Sequence, residues 1–423
     1  MHFNKNFKNT ISWKLLNTGF IFFINLLMVR LLSVSESGMF FYDITLLSFL
    51  ILILSLSIES GITYYAVKDN TIIRSILTIL IPLLTFQVFL SWVVIRNVQL
   101  SISMFFALLF ILGNLCNNYF SAIFYAQKWF VLLSIISCCV NFLVILALIC
   151  SYFYLGNGDN SHLYYKTIYI SGMAFQATLL VLILGFKFRK SKAVPVNLKA
   201  LITNIFTYSS VAFISNMVFF LVTRIDYFFV EKYCSSFALG NYVQVSKFGQ
   251  LLILIPSITA TMVFPYSADK TQRFTLQKVQ QLCKSITMFF IPVSLLFVLS
   301  GYYVLPFIFG KGFNLMYVAL LLYMPGFFAL SIISILAAYL AGENYLIANL
   351  VASVLALIIV IIGDVLMIPL LGINAAAAVS SVAYIACGCY LLHIFKVKYN
   401  CRSASFFYFK KEEIFYIFKQ FTK

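Results

Sequence analysis

Residues 130–152 read FVLLSIISCCVNFLVILALICSY and contain no charged side chain. About 20 apolar residues are needed for an α-helix to cross a bilayer, so this stretch predicts a transmembrane helix. Similar runs recur along the chain of 423 residues, of which 63% are hydrophobic and only 10% are charged. So few charges cannot cover a water-soluble protein of this size. The composition indicates a polytopic membrane protein and excludes disordered proteins, nucleic-acid scaffolds and secreted disulfide-rich domains.

We predict twelve transmembrane helices, because the apolar runs are separated by breaks of charge, Gly, Pro and Asn. Their predicted positions are 11–32, 38–58, 72–94, 100–125, 130–152, 164–186, 209–230, 240–264, 284–304, 315–341, 345–366 and 374–395. The first run lacks a small-residue cleavage site before the second, so we interpret it as a retained helix and not as a signal peptide.

The longest predicted cytoplasmic connection follows the sixth helix and divides the chain into two sets of six. We therefore expect an N-lobe at 1–186, a cytoplasmic linker at 187–208, a C-lobe at 209–395 and a basic cytoplasmic tail at 396–423. Such a plan places a substrate site between repeats in many transporters. The predicted fold class is all-α, with about twelve membrane helices in two six-helix lobes around a central cavity.

The distribution of Lys and Arg predicts the orientation. With both termini in the cytoplasm, 22 basic residues fall on the inside and five on the outside. Positive charge marks cytoplasmic loops, so this orientation is strongly favoured. We attribute the net charge of +17 to topology and to anionic lipid headgroups, and we expect no nucleic-acid partner.

Signals for catalysis, metals and cofactors are lacking in the sequence. The nine cysteines form no C-x-x-C pair, and His2, His162 and His393 have no ligand partner at a suitable spacing. The longest predicted outer loop, 155–163, is too short for a catalytic loop, and no phosphate-binding G-x-x-x-x-G-K-[ST] motif occurs. We therefore predict no metal, no cofactor and no enzymatic activity.

Ionisable residues inside predicted spans are the main functional candidates, because each costs about 2.5–3.5 kcal/mol at the centre of a helix on insertion scales. They are Lys14, Arg30, Asp43, Arg224, Asp226, Lys247 and Asp364. Arg224 and Asp226 lie two positions apart and do not face each other on a helix, so we do not expect them to be simple partners. Because the acidic and basic groups nearly balance, neutral pairs that fix the helices are the structural alternative.

Helical periodicity adds polar candidates. Gln244, Lys247 and Gln250 fall on one broad face that could line an aqueous cavity, and Asn25 aligns with Lys14. Arg30 points almost the opposite way, so snorkelling to the outer interface is its alternative role. A further polar face carries Asn114, Asn117, Asn118, Ser121 and Tyr125. For that face we favour interhelical packing over a cavity.

Several short motifs resemble those of a known family. They are Arg30-Leu31-Leu32 with Ser37-Gly38-Met39-Phe40, Arg224-Ile225-Asp226, Leu239-Gly240-Asn241-Tyr242, Phe264-Pro265, Pro306-Phe307-Ile308-Phe309-Gly310, and Pro369 to Ala376. Their order and spacing, from about 11 to 395, are similar to those of the Wzx-type flippases of lipid-linked polysaccharide repeat units. That family belongs to the multidrug, oligosaccharidyl-lipid and polysaccharide exporter superfamily. Asn374 departs from the pattern, where the family usually has Gly.

The resemblance implies a flippase of the bacterial inner membrane that moves undecaprenyl-diphosphate-linked oligosaccharide to the outer leaflet by alternating access, for O-antigen or capsule synthesis. It implies membrane lipids, a polysaccharide polymerase and a chain-length regulator as partners. The expected substrate and diphosphate residues are Arg224, Lys247, Gln244, Gln250, Asn25, Lys14 and Arg30. The expected ion-coupling residues are Asp226, Asp43 and Asp364. Two alternatives stay open: a drug or small-solute exporter of the same superfamily, and a polysaccharide polymerase or ligase.

Overall fold

The computed structural model describes residues 2–127, 129–155, 161–188, 198–268, 275–343 and 345–408. Several predicted cytoplasmic features lie outside these ranges. They are Lys128, the linker residues 189–197, Lys270, Arg273 and the tail beyond residue 408.

Thirteen α-helices and two short 3₁₀ turns make up the regular structure of the described residues. The first seven helices are α1 (His2–Leu31), α2 (Val34–Ser55), α3 (Ile58–Lys68), α4 (Ile73–Ile95), α5 (Met104–Ala126), α6 (Phe130–Leu155) and α7 (Ser161–Phe188). The others are α8 (Leu198–Tyr233), α9 (Ser236–Ala268), α10 (Leu276–Phe309), α11 (Met316–Gly342), α12 (Leu346–Leu371) and α13 (Ile373–Tyr399). Twelve of the described helices are long and apolar enough to cross a membrane. The predicted all-α fold with twelve spans is confirmed.

Several helix boundaries differ from those expected from the sequence, and two of the differences bear on how the chain is organised. The second span ends at Ser55, because Leu56 and Ser57 adopt positive φ angles of 46° and 53° and α3 starts in a new direction. The Ser57 hydroxyl accepts a hydrogen bond from the Asn216 side chain at 3.0 Å, which holds this break. Helix α8 begins at Leu198, so residues 198–208 of the expected linker continue a membrane helix.

The chain forms two compact units, unit 1 (Met1–Met217) and unit 2 (Val218–Lys423), with the boundary inside α8. In unit 1, helix α5 packs against α3, α4 and α7, while α1 packs against α6. The contact between α5 and α7 is close, because a Cβ at Gly113 would lie 3.1 Å from the backbone nitrogen of Ala174. Small residues allow such approach between membrane helices.

In unit 2, helix α11 takes the central position and packs against α9, α10 and α13. Gly326 allows the contact with α13, since a Cβ there would lie 2.7 Å from the Ser381 hydroxyl. That hydroxyl accepts from the Gly326 N–H at 3.2 Å and donates to the Leu322 carbonyl at 2.6 Å. Each unit is therefore built around one helix that carries a glycine where a neighbouring helix packs closely.

Candidate functional site

Arg224 lies half-buried on α8 in unit 2. Its Nη1 donates hydrogen bonds to the Tyr227 hydroxyl at 2.5 Å and to the Ser246 hydroxyl of α9 at 3.4 Å. The guanidinium carbon lies 5.0 Å from the centre of the Tyr227 ring, within the range of a cation–π contact. These contacts orient the guanidinium, yet both hydrogen bonds use a single nitrogen of a group with five N–H donors.

Asp226 is 1% exposed and makes its own set of contacts. One carboxylate oxygen accepts from the Tyr227 N–H at 2.9 Å. The other accepts from the Tyr242 hydroxyl of α9 at 2.5 Å and from the Ser380 hydroxyl of α13 at 3.5 Å. Arg224 and Asp226, both in the described part of the chain, form no ion pair within 4.0 Å, as expected from their spacing. Asp226 instead joins three helices of unit 2.

Tyrosine side chains surround this carboxylate. The Tyr242 ring stacks on the Tyr323 ring of α11, with centroids 6.2 Å apart and an interplanar angle of 11°. The Tyr323 and Tyr384 hydroxyls lie 3.3 Å apart, and the Tyr384 hydroxyl also donates to the Val222 carbonyl at 3.2 Å. We call Arg224, Asp226 and these three tyrosines the tyrosine cluster.

Asp364 on α12 differs from Asp226 because its carboxylate is unpaired. The side chain is fully buried, and neither oxygen has a hydrogen-bond partner among the described residues. Asp364 is close enough to Asp226 for the two carboxylates to interact electrostatically. A buried carboxylate without a partner carries a desolvation cost. The carboxylates of Asp226 and Asp364 and the Ser380 hydroxyl provide oxygen atoms that can bind a proton or a hard cation.

Lys247 on α9 lies half-buried and close enough to Arg224 for the two charges to interact. The polar face expected around Lys247 is not uniformly buried. Gln244 is 1% exposed, whereas Gln250 is exposed. Residues six positions apart on an α-helix are separated by about 240° around the axis, which explains the difference. The Gln244 Nε2 is buried and lacks a hydrogen-bond partner in the described part of the chain.

A cavity of about 510 Å³ opens inside unit 1, and amide and hydroxyl side chains dominate its polar lining. These side chains are Asn17, Ser60, Thr63, Asn114, Asn117, Asn118, Ser121, Tyr125, Ser134, Ser137, Asn141 and Gln176, with Lys14 and Glu59 as the charged members. We call this the amide cavity. Asn117 donates across to the Met173 carbonyl of α7 at 3.0 Å, as expected for interhelical packing. The whole polar face of α5 also lines the cavity.

Asp43 occupies a different place in unit 1. Its side chain is 1% exposed, and one oxygen accepts from the Ser101 N–H at 2.8 Å and from the Ser101 hydroxyl at 2.5 Å. These bonds attach α2 to the segment between α4 and α5. An ion-coupling role for Asp43 stays a prediction.

The two remaining candidates are on α1. Arg30 is exposed one residue before the helix ends, where Ser33 and Glu36 form the capping box of α2. Asn25 is half-buried and donates to the Ile21 carbonyl of its own helix at 2.9 Å. Asn25 and Arg30 are not among the residues that line the amide cavity, whereas Lys14 is.

Sequence reasoning missed Glu59 and the three partner tyrosines. Glu59 is an acid at the end of a long apolar run, and that isolation is a signal that could have found it. Its Oε2 is buried without a hydrogen-bond partner among the described residues, and burial raises the pKa of the carboxyl above its ordinary value. Of the tyrosines, Tyr242 appeared only as part of a family motif, and a tyrosine in a membrane protein does not by itself mark a site because tyrosine is enriched at both membrane–water interfaces.

No group of three or more His, Cys, Asp or Glu residues that could hold a metal ion occurs in the described ranges. No protein-family model matches the sequence, and no curated protein matches it. Solved structures do share its fold. The lipid II flippase MurJ in an inward closed conformation has a TM-score of 0.67 at 15% identity, over 97% of this chain and 89% of that chain.

Two multidrug transporter structures are also similar. An inward-facing MATE family transporter of the MOP superfamily has a TM-score of 0.62 at 12% identity, over 90% of this chain and 94% of that one. A mutant of the Vibrio cholerae MATE transporter VcmN has a TM-score of 0.59 at 13% identity, over 95% and 99%. The chain therefore has the all-α polytopic fold of these flippase and transporter structures. Membership of the Wzx-type family and of its superfamily stays a prediction.

Proposed function

We propose that this protein is a flippase that moves undecaprenyl-diphosphate-linked oligosaccharide repeat units to the outer leaflet of a bacterial inner membrane. Translocation would occur by alternating access, and the translocated repeat units would be used for O-antigen or capsule synthesis. The observation that carries the proposal is the basic pair Arg224 and Lys247, half-buried among membrane helices of unit 2. The fold shared with a lipid II flippase supports it.

The basic pair suits a diphosphate. Arg presents a planar fork that binds phosphate oxygens bidentately, while Lys acts as a point charge. Tyr227 and Ser246 hold the Arg224 guanidinium in one orientation, and this reduces the entropy that is lost on binding. We infer that Arg224 sets the geometry of the diphosphate and that Lys247 adds charge.

Substitutions that keep the charge test this division of roles. Arg224→Lys should lower translocation about tenfold, because the bidentate contact is lost. Lys247→Arg should change it less than threefold. Translocation is measured with purified lipid-linked substrate in reconstituted vesicles, and Arg96→Lys, an exposed arginine at the end of α4, is the control. Wild-type rates for both Arg224→Ala and Lys247→Ala at equal protein levels would defeat the assignment.

The pair of buried acids supports ion coupling as the energy source. We infer that Asp226 and Asp364 exchange a proton or a sodium ion during the cycle, because their carboxylates interact and Asp364 has no hydrogen-bond partner among the described residues. The Asp364→Asn variant should fold normally, and its transport should no longer depend on the ion gradient. If Asp364→Asn and Asp226→Asn both leave that dependence unchanged, coupling resides elsewhere.

A cellular experiment tests the proposal as a whole. Deletion of the gene should remove surface polysaccharide and trap lipid-linked repeat units on the cytoplasmic side. Complementation with the Arg96→Ala variant should restore the polysaccharide, whereas Arg224→Ala should not. Normal polysaccharide in the deletion strain would contradict the proposal.

Export of drugs or small solutes is the second candidate, because two structures with the same fold are MATE transporters. A deletion strain that keeps its polysaccharide and becomes sensitive to cationic drugs would favour this function. The Arg224 and Lys247 pair argues against it for cations, since two basic groups repel a positively charged solute.

A further inference from the structure

The amide cavity of unit 1 has no role in the proposed function. Its volume of about 510 Å³ falls within the range of about 300–1,000 Å³ that is typical of small-molecule sites. Lys14, Asn118 and Tyr125 are exposed, so the cavity opens to its surroundings. Burial of polar groups has a cost that apolar packing avoids, so a polar cavity of this size indicates a function beyond packing.

The lining has spare hydrogen-bonding capacity. Some polar groups already have partners, such as Asn141 with Asn17 at 2.8 Å and Gln176 with Ser137 at 3.1 Å. The Asn117 Oδ1 and the Glu59 Oε2 are buried and lack partners in the described structure. Buried polar atoms normally have a partner, so these two acceptors indicate a ligand with donor groups.

The charge of the lining restricts the ligand class. One acid and one base line the cavity, and burial shifts the acid towards its neutral form. A diphosphate would call for several basic groups, and a hard cation would call for several carboxylates in a much smaller site. An apolar drug would leave the amides unpaired. Sugar hydroxyls both donate and accept, and amide side chains offer both groups in return.

We propose that the amide cavity binds the neutral sugar rings of the lipid-linked substrate. This inference rests on the proposed function and extends it to the substrate headgroup. The side chains that define the site are Asn114, Asn117, Asn118, Ser121, Asn141 and Glu59. Their polar groups can form hydrogen bonds with any sugar hydroxyl, so the site accepts several neutral sugars.

The test uses the purified full-length protein in detergent and measures equilibrium binding. The probes are undecaprenyl diphosphate alone and the same lipid carrying glucose, galactose or N-acetylglucosamine. Wild-type protein should bind at least one sugar-bearing lipid about tenfold more tightly than the bare lipid, as one or two additional hydrogen bonds would give. Asn118→Leu and Ser121→Phe should reduce that preference to about twofold or less.

Two controls separate loss of the site from loss of the fold. Asn97→Leu replaces an exposed amide beyond the end of α4 and should keep the tenfold preference. Binding of the bare lipid and the thermal unfolding temperature should be unchanged in the two cavity variants. If a cavity variant unfolds early, the milder Ser121→Ala and Asn118→Ala variants replace it in the comparison.

The outcomes distinguish this inference from the proposed function. Binding of the bare lipid without a preference for any of the three sugars, or a preference that survives in both cavity variants, would overturn the sugar site and leave the flippase proposal standing. Failure to bind any of the lipids would overturn both. A sodium-dependent stabilisation that is lost in the cavity variants, with the sugar preference intact, would assign the cavity to a cation and overturn the inference.

Discussion

The two units share one architectural plan and differ in how they treat buried polar groups. Unit 1 is centred on α5 and contains an open cavity lined by amides and hydroxyls. Unit 2 is centred on α11 and contains a closed cluster in which Asp226 accepts three hydrogen bonds. In this membrane fold, unit 1 therefore presents mainly neutral polar groups to a cavity, whereas unit 2 encloses charged groups.

The chemistry of the central helices explains the contrast. On α5, the polar side chains Asn114, Asn117, Asn118, Ser121 and Tyr125 share the face that lines the amide cavity. On α11, Tyr323 stacks between Phe327, at 4.2 Å, and Tyr242, at 6.2 Å. The aromatic rings of unit 2 fill the space around its charged groups, whereas the amides of unit 1 leave a cavity. We expect the two units to respond differently to voltage, to loss of a carboxylate, to tighter packing and to loss of an amide.

Membrane potential should produce the largest effect, and it should act through charge alone. A headgroup of charge near −2 that moves outwards across the full field gains about 2.3 kcal/mol per charge per 100 mV, or roughly 4.6 kcal/mol in total. Translocation in reconstituted vesicles should therefore be faster when the cytoplasmic side is negative. Asn118→Leu in unit 1 should keep the same ratio of rates, whereas Lys247→Gln in unit 2 should change it.

Equal rates of wild-type translocation at zero potential and at an imposed negative potential, with no ion gradient present, would remove this contribution. A change of the ratio in Asn118→Leu would show that the amide cavity of unit 1 takes part in charge movement. Either result would weaken the contrast between the units.

Removal of a buried carboxylate should cost more stability in unit 2 than in unit 1. Asp226→Leu removes the acceptor of the Tyr242 and Ser380 hydroxyls and of the Tyr227 N–H. Each buried donor left unpaired costs about 1–3 kcal/mol, so the summed loss should exceed that of Asp43→Leu. Asp43→Leu leaves the Ser101 donors unpaired and should cost about 1–3 kcal/mol. Thermal unfolding of the purified variants in detergent measures the difference. Equal losses would show that Asp43 fixes more of unit 1 than its bonds to Ser101 indicate.

Tighter packing of the central helices should again affect unit 2 more. A Cβ at Gly326 would lie 2.7 Å from the Ser381 hydroxyl, so Gly326→Ala should destabilise by about 1–3 kcal/mol. A Cβ at Gly113 has its nearest neighbour at 3.1 Å, and the higher helix propensity of Ala offsets part of the strain there. Gly19→Ala is the control, since nothing lies within 4 Å of that position. The unfolding temperatures should follow the order Gly326→Ala, Gly113→Ala, Gly19→Ala, from lowest to highest.

Loss of an amide pair in unit 1 should have the smallest effect. Asn17 and Asn141 are joined by a hydrogen bond of 2.8 Å at the cavity wall, and such bonds in membrane proteins average about 0.6 kcal/mol. A double-mutant cycle of Asn17→Ala and Asn141→Ala should give a coupling energy near that value. A coupling above about 2 kcal/mol would mean that the amides of unit 1 are structural and would argue against their role in ligand binding.

The sequence by itself determined the class of the protein and its twelve spans. Hydropathy along one segment decides whether that segment crosses a membrane, and residues 130–152 need no information from the rest of the chain. Segment ends were less well determined, because the break at Ser57 depends on Asn216, which is distant in sequence.

Only the tertiary structure decided which polar residues meet. Asp226 on α8 accepts from Ser380 on α13, and Glu59 on α3 lines a cavity with Asn117 on α5. Helical periodicity gave the face of each residue on its own helix, and the face of α5 was found in this way. The rotation of a helix towards its neighbours is set by packing between distant segments, so the partner of each polar group was beyond the reach of periodicity.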